Sequence, residues 1–391
     1  LVIKDKIINL SMILHRIISL IFLNEIFPNE LISCIIWMYY NTFRKIKFSN
    51  RYDNSLCLKD DIVYGTGSNK YRQLGIDTRN QRTTFTQSTL LSHLSVINIA
   101  CGRVHSVFHT KDGNLYGLGV NPRGQLGTPH FNTVCIEPRL LDINNVISVS
   151  CGSDFTIAQT KDGLFSTGIN EIEGHYKLYQ CFARKGSTSF GFGLIKISNV
   201  INFKCSALTL FVLTKDGLYS CGENESRQLG LSLEVHNKKK YINKLKKIDL
   251  DDIQSYYNGS HSSLILSSTG LFLCKYKNSP SRVNVDMNII HFMTKAYIIY
   301  FTTKDGLYLF DTADNGVFTG EINTITKENS MLVFSNPNIL SISSSNSGGF
   351  IETETECYGW GESSQGELGI GKIRVRVNIV DRYQVNKIVF E

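Results

Sequence analysis

The chain has 391 residues, 42% hydrophobic and 19% charged, with a formal net charge of +7. That apolar content is ordinary for a globular protein and excludes a disordered or low-complexity chain. The charge is modest for this length and permits an acidic partner without identifying one. Leu1–Asn50 is rich in Ile and Leu and contains no glycine. Ile7–Phe22 is apolar but broken by Asn9, His15, Arg16 and Ser19, so it reads as an amphipathic or buried helix and not as a membrane span. A second helix is predicted from Pro28 to Tyr40, with proline in its first turn and Glu30 beside the N-terminal dipole. Leu31, Trp37 and Met38 on this segment form a candidate interface core, and Arg44–Arg51 reads as a basic linker.

Beyond it the chain repeats itself. Val96–Gly127, VINIACGRVHSVFHTKDGNLYGLGVNPRGQLG, contains alternating apolar runs, a Lys-Asp-Gly-Asn turn and a polar loop ending in Gln-Leu-Gly. Thr-Lys-Asp-Gly returns at 160–163, 214–217 and 303–306, and Gln-Leu-Gly or Glu-Leu-Gly at 73–75, 228–230 and 367–369. Gly-x-Gly triplets or their degenerate forms begin at 65, 117, 166, 220, 271, 308 and 359, in steps of 52, 49, 54, 51, 37 and 51. Strands repeating at about fifty residues indicate a propeller, because one small meander cannot bury its own faces. Seven units are predicted, and those at 253–274 and 289–310 have lost their terminal glycines. Glu352, Glu354 and Glu356 alternate with threonines, as on a solvent-facing strand. The first unit, from Tyr52, lacks an opening strand, whereas Asn386–Glu391 resembles one. The expectation is therefore an all-β propeller over 51–391 whose first blade is closed by the C-terminal strand, with a helical extension over 1–50.

Leu115–Gly127 and Leu218–Gly230, ending GVNPRGQLG and GENESRQLG, resemble the repeat of the RCC1 (regulator of chromosome condensation) family. The resemblance runs from about Tyr52 to the C-terminus and implies seven four-stranded blades. The family's founding activity is nucleotide exchange on the small GTPase Ran, which uses acidic residues on one propeller face and a protruding wedge. Asp154 matches one acidic position, whereas Arg103 places a cation in the preceding repeat, and Val120–Gln125 is short for a wedge. Pro28–Tyr40 weakly resembles the opening of an F-box, which implies a ubiquitin-ligase adaptor of the Skp1 type as partner. Packing on the ring as a helical cap is the favoured reading of that segment.

The sequence contains no phosphate loop, nucleophile elbow or metal signature, and His105-Ser106 reads as structural. No enzyme activity, cofactor, metal or small-molecule substrate is expected, and nucleic acid and membranes are disfavoured as partners. The expected function is a protein-interaction scaffold, with exchange on a Ran-like GTPase as the alternative. Candidate partner-binding residues are Asp154, Arg103 and the run Lys238, Lys239, Lys240, Lys244, Lys246 and Lys247, read as a basic loop. Ten dispersed cysteines, three of them at one repeat position (Cys101, Cys151, Cys205), indicate buried free thiols and an intracellular location in cytoplasm or nucleus.

Overall fold

The computed structural model describes residues 46–128, 134–168, 191–232, 240–275, 280–295, 298–312, 324–344, 348–353, 355–361, 363–371 and 384–391. Leu1–Lys47 separates as a compact unit from Phe48–Glu391, and only its last two residues are described. The expected helices, with Leu31, Trp37 and Met38, lie outside the described residues.

Seven four-stranded antiparallel sheets follow one another, each with its strands in sequence order. Blade 1 is β1 (Ile46–Arg51), β2 (Asn54–Lys59), β3 (Ile62–Gly67) and β4 (Arg82–Gln87). Blade 2 is β5 (Val96–Cys101), β6 (His105–Thr110), β7 (Leu115–Val120) and β8 (Val134–Leu140). Blade 3 is β9 (Val146–Cys151), β10 (Phe155–Thr160), β11 (Gly163–Gly168) and β12 (Gly193–Ile195). Blade 4 is β13 (Val200–Cys205), β14 (Thr209–Thr214), β15 (Gly217–Glu223) and β16 (Tyr241–Lys247). Blade 5 is β17 (Ile253–Asn258), β18 (Ser263–Ser267), β19 (Gly270–Cys274) and β20 (Ser281–Val283). Blade 6 is β21 (His291–Lys295), β22 (Ile298–Thr303), β23 (Gly306–Asp311) and β24 (Met331–Ser335). Blade 7 is β25 (Ile339–Ser344), β26 (Gly348–Thr353), β27 (Cys357–Gly361) and β28 (Val385–Lys387). First strands lie against first strands, β5 beside β9 and β9 beside β13, so they line the axis and the fourth strands form the rim. The chain is a seven-bladed β-propeller.

The core is layered between blades. Leu58, Leu74, Ile99 and Phe108 join blades 1 and 2; Val107, Leu126, Val149 and Ala158 join blades 2 and 3. Each fully buried leucine or phenylalanine contributes about 2 kcal/mol of burial free energy, so stability is spread around the ring.

The repeated Asn…Gln-Leu-Gly loop has a structural explanation. Asn69, Asn121 and Asn224 accept hydrogen bonds through Oδ1 from the amides of Leu74, Leu126 and Leu229 at 3.0, 2.8 and 3.2 Å. Gln73, Gln125 and Gln228 accept from the amides two residues upstream at 2.9–3.0 Å. In blade 7 Ser363 and Glu367 take the same two roles. This polar frame drives a leucine into the inter-blade core, and the following glycine turns the chain at φ between +63° and +73° in blades 1, 2 and 4.

Ring closure differs from expectation. Ile46–Arg51 is not a linker: it forms the axial strand of blade 1. Val385–Lys387 instead completes blade 7, pairing Trp360 with Val385 and Tyr358 with Lys387. Val389–Glu391 then runs parallel along the rim of β4. Phe85 N donates to Val389 O at 2.8 Å, Glu391 N to Phe85 O at 2.8 Å and Gln87 N to Glu391 O at 2.9 Å. Phe48 stacks on Phe350 of blade 7 at 4.7 Å, and Phe85 packs against both Phe350 and Phe390. The C-terminus therefore reaches blade 1 at its rim, because β1 occupies the axial position.

Two further expectations change. Glu352 is buried and accepts a 2.7 Å bond from Ser341 Oγ, because β26 is an inner strand packed on both faces. Glu354 lies outside the described residues, and Glu356 pairs with Lys387. Aligned on their hairpin turns, Leu273 and Leu309 occupy the position of Ser220. The degenerate triplets therefore begin two residues and one residue later than the sequence alignment places them, since no glycine marks them.

Candidate functional site

The strand order places the turns between first and second strands, and the loops between third and fourth strands, at one end of every blade. Arg103 lies in the β5–β6 turn, Arg123 in the β7–β8 loop and Asp154 in the β9–β10 turn, all on this face. Arg103 Nη2 donates to Asp154 Oδ1 at 3.1 Å and Oδ2 at 3.2 Å; Arg123 Nη1 donates to Oδ2 at 2.7 Å. The Asp154 side chain is only 5% exposed, whereas those of Arg103 and Arg123 are 44% and 31% exposed. A buried carboxylate flanked by two guanidinium groups is an inter-blade clasp, with its charge compensated within the ring.

Backbone bonds extend the clasp around the face. Arg103 N donates to Ser153 O at 2.9 Å and Ser153 N to Ala207 O at 2.8 Å, linking the turns of blades 2, 3 and 4. Ser153 Oγ reaches the Tyr52 hydroxyl at 3.2 Å. Arg51, at the end of β1, donates through Nη2 to Cys151 O at 2.8 Å and Cys205 O at 3.1 Å. It thus reaches from blade 1 to blades 3 and 4 across the axial opening.

Beneath this surface His105 is fully buried, with Nε2 3.2 Å from Thr156 Oγ1, whose hydroxyl donates to Gln125 O at 2.8 Å. Burial, with the nearby Arg51 and Arg103 charges, lowers its pKa to about 3, so the ring is neutral at physiological pH. His105 is therefore a structural residue. Burial likewise pushes the Cys101 thiol up to about 11, Cys205 up to about 12 and Cys151 upward as well. All eight described cysteines are free and buried. Among the described residues no cluster of His, Cys, Asp and Glu could hold a metal.

The lysine run does not join this site. Lys238 and Lys239 lie outside the described residues, and Lys240 pairs with Glu225 at 3.2 Å. Lys244, Lys246 and Lys247 sit on β16, the rim strand of blade 4, so the expected loop is a strand for most of its length. Sequence reasoning brought out Arg103 and Asp154 but not their contact, and it missed Arg123 and Arg51. The spacing of 51 between Arg103 and Asp154, one residue more than the 50 that separates Cys101 from Cys151, was the available signal.

Comparison with known proteins decides the family of the repeat. The model for the regulator of chromosome condensation (RCC1) repeat matches residues 60–108 and 112–159. The chain carries RCC1 repeats. Each matched repeat covers the outer two strands of one blade and the inner two of the next, so every repeat spans an inter-blade core. Human X-linked retinitis pigmentosa GTPase regulator is 30% identical over 105 residues, covering 22% of this chain and 10% of that protein. The human probable E3 ubiquitin-protein ligase HERC3 is 32% identical over 81 residues, covering 21% and 8%. The Bos taurus secretion-regulating guanine nucleotide exchange factor is 30% identical over 81 residues, covering 21% and 18%. The chain thus spans less than a fifth of the length of each of these relatives. Among solved structures, human WBSCR16 superposes with a TM-score of 0.62 at 18% identity, covering 84% of this chain and 94% of that one. Prp20p from Saccharomyces cerevisiae gives 0.55 at 20% identity, covering 90% and 78%. These likenesses carry the fold. The ring is an RCC1-like propeller in fold.

Proposed function

We propose that this propeller is a non-catalytic scaffold that presents its Arg103/Arg123 face to a protein partner. The observation that carries the reading is the Asp154 clasp: this carboxylate, at a position the resemblance makes acidic, is buried and held by two arginines. At the clasp the exposed groups are the Arg103 and Arg123 guanidiniums, unlike the acidic face that exchange on Ran uses, and the exposed Asp53 in the β1–β2 turn is the equivalent carboxylate of blade 1. Secretion-regulating and GTPase-regulator relatives make a small GTPase the alternative partner. The E3-ligase relatives, together with the F-box-like Pro28–Tyr40 run, favour substrate recognition for a ubiquitin ligase as the finer role, with cytoplasm or nucleus as its location.

The test is affinity capture with the full chain and two variants. Arg103→Glu should lose partners of the ring, and Leu31→Asp should lose a Skp1-type adaptor without lowering the melting temperature. Identical partner sets for wild type and Arg103→Glu would refute the face assignment. Retention of a Skp1-type adaptor by Leu31→Asp would refute the recruiting role of that segment.

A further inference from the structure

The rims of the blades differ in charge. β4 carries one cation, β8 carries Glu137 and Arg139, β12 and β24 carry no charge, and β20 and β28 carry one cation each. β16 carries Lys244, Lys246 and Lys247 within four residues and no acid. All three are exposed, and none has an ionic partner among the described residues. β16 is the terminal strand of its sheet, and no described strand or bridge pairs with its outer edge. At seven residues it is also longer than the three-residue rim strands β12, β20 and β28.

Blade 1 demonstrates what such a rim can do: β4 accepts Val389–Glu391 as a parallel addition through three backbone hydrogen bonds. We propose that the β16 rim docks an acidic, extended segment of a partner protein as an added strand. Backbone pairing supplies the affinity, and the lysines supply the selection. Lysine on a rim strand repels basic strands and disfavours neutral ones, whose pairing would desolvate its charge, which protects the edge from indiscriminate pairing. Against alternating carboxylates the same charges become attractive. The rim is independent of the Arg103/Arg123 face, so this docking does not depend on the scaffold reading of that face.

The probe is a fluorescein-labelled peptide of about ten alternating glutamates and threonines, long enough for one strand, titrated against the full chain by anisotropy. Saturable binding is expected, weakening as salt rises from about 50 to about 300 mM because exposed charges are screened. Lys244→Glu/Lys246→Glu/Lys247→Glu should weaken it at least about tenfold, a difference of about 1.4 kcal/mol. Should that variant melt early, the glutamine triple variant replaces it, with a smaller loss expected. N-methylation of alternate peptide amides should abolish binding, since the charge stays and the pairing goes. Equal binding of the methylated peptide, indifference to the lysine variants, or absence of binding would each overturn the proposal. So would displacement by a DNA duplex or anionic vesicles at concentrations below that of free peptide, which would make the rim a general polyanion surface.

Discussion

Blades 2 and 3 meet through the repeat's own devices, whereas blades 5 and 6 meet without them. Between blades 2 and 3, Gly117 leaves room for Leu126: a β-carbon there would come within 2.7 Å of the leucine side chain. The Asn121/Gln125 frame holds that leucine in place, and the Arg103–Asp154–Arg123 clasp closes the surface above it. Between blades 5 and 6 the side chains fill the layer themselves, with Leu273, Phe301, Tyr308, Phe310 and Ile325 in one cluster. Lys275, at the position of the terminal glycine, is buried and feels the charge of Asp311; desolvation lowers its pKa to about 8. One architecture is thus reached by two routes. A glycine with a strap leucine and a bulky strand residue without a strap occupy the same inter-blade volume, which close packing demands be filled.

The comparison breaks most sharply at the terminal glycine. Gly119 has φ of +96°, and an added β-carbon would collide with the Val104 carbonyl oxygen and lie 2.9 Å from His105 Cα. Gly119→Ala should cost about 3 kcal/mol or more and lower soluble yield, whereas Lys275→Ala at the equivalent site should cost far less. Urea denaturation of the two variants checks this, and equal losses would erase the distinction between the routes. Next comes Leu126→Ala, expected to cost about 3 kcal/mol through a cavity the polar frame cannot collapse. Ile325→Val should cost only about 1 kcal/mol, since one methylene leaves aromatic neighbours able to close in.

A smaller effect is pH dependence confined to the blade 2–3 contact. His105 titrates at about 3 in the folded protein against 6.5 ordinarily. Between those values the unfolded chain binds a proton that the native state refuses. Stability is therefore fully present above pH 6.5 and falls on acidification by up to about 1.4 kcal/mol per unit. His105→Asn should flatten this part of the stability profile measured by urea denaturation from pH 7 to 4; an unchanged slope would place the titrating group elsewhere.

The sequence made the seven units and their turns legible because Gln-Leu-Gly and Thr-Lys-Asp-Gly each perform one local job, turning or capping a strand. It misplaced the degenerate triplets because Leu273 and Leu309 fill space as ordinary strand residues do. It missed β1 because IKFSNR lacks the Cys-Gly ending of β5 and β9, Arg51 standing where Gly102 and Gly152 stand. It read Arg103 and Asp154 as opposed surface charges, since contact between neighbouring repeats is visible only once the blades are stacked. Glu352 shows the same limit: alternation with threonine suggests a wet face, yet an inner blade strand has none.

The claim that Asp154 serves the ring and not a GTPase is tested most directly by release of a fluorescent nucleotide from purified small GTPases, Ran-like ones included. Wild-type protein, Asp154→Asn and Arg103→Ala/Arg123→Ala would be compared, each with its melting temperature. The account predicts release no faster than the spontaneous rate for all three, with the two variants melting earlier because the clasp is broken. A saturable acceleration by wild type that disappears in Asp154→Asn at an unchanged melting temperature would contradict it.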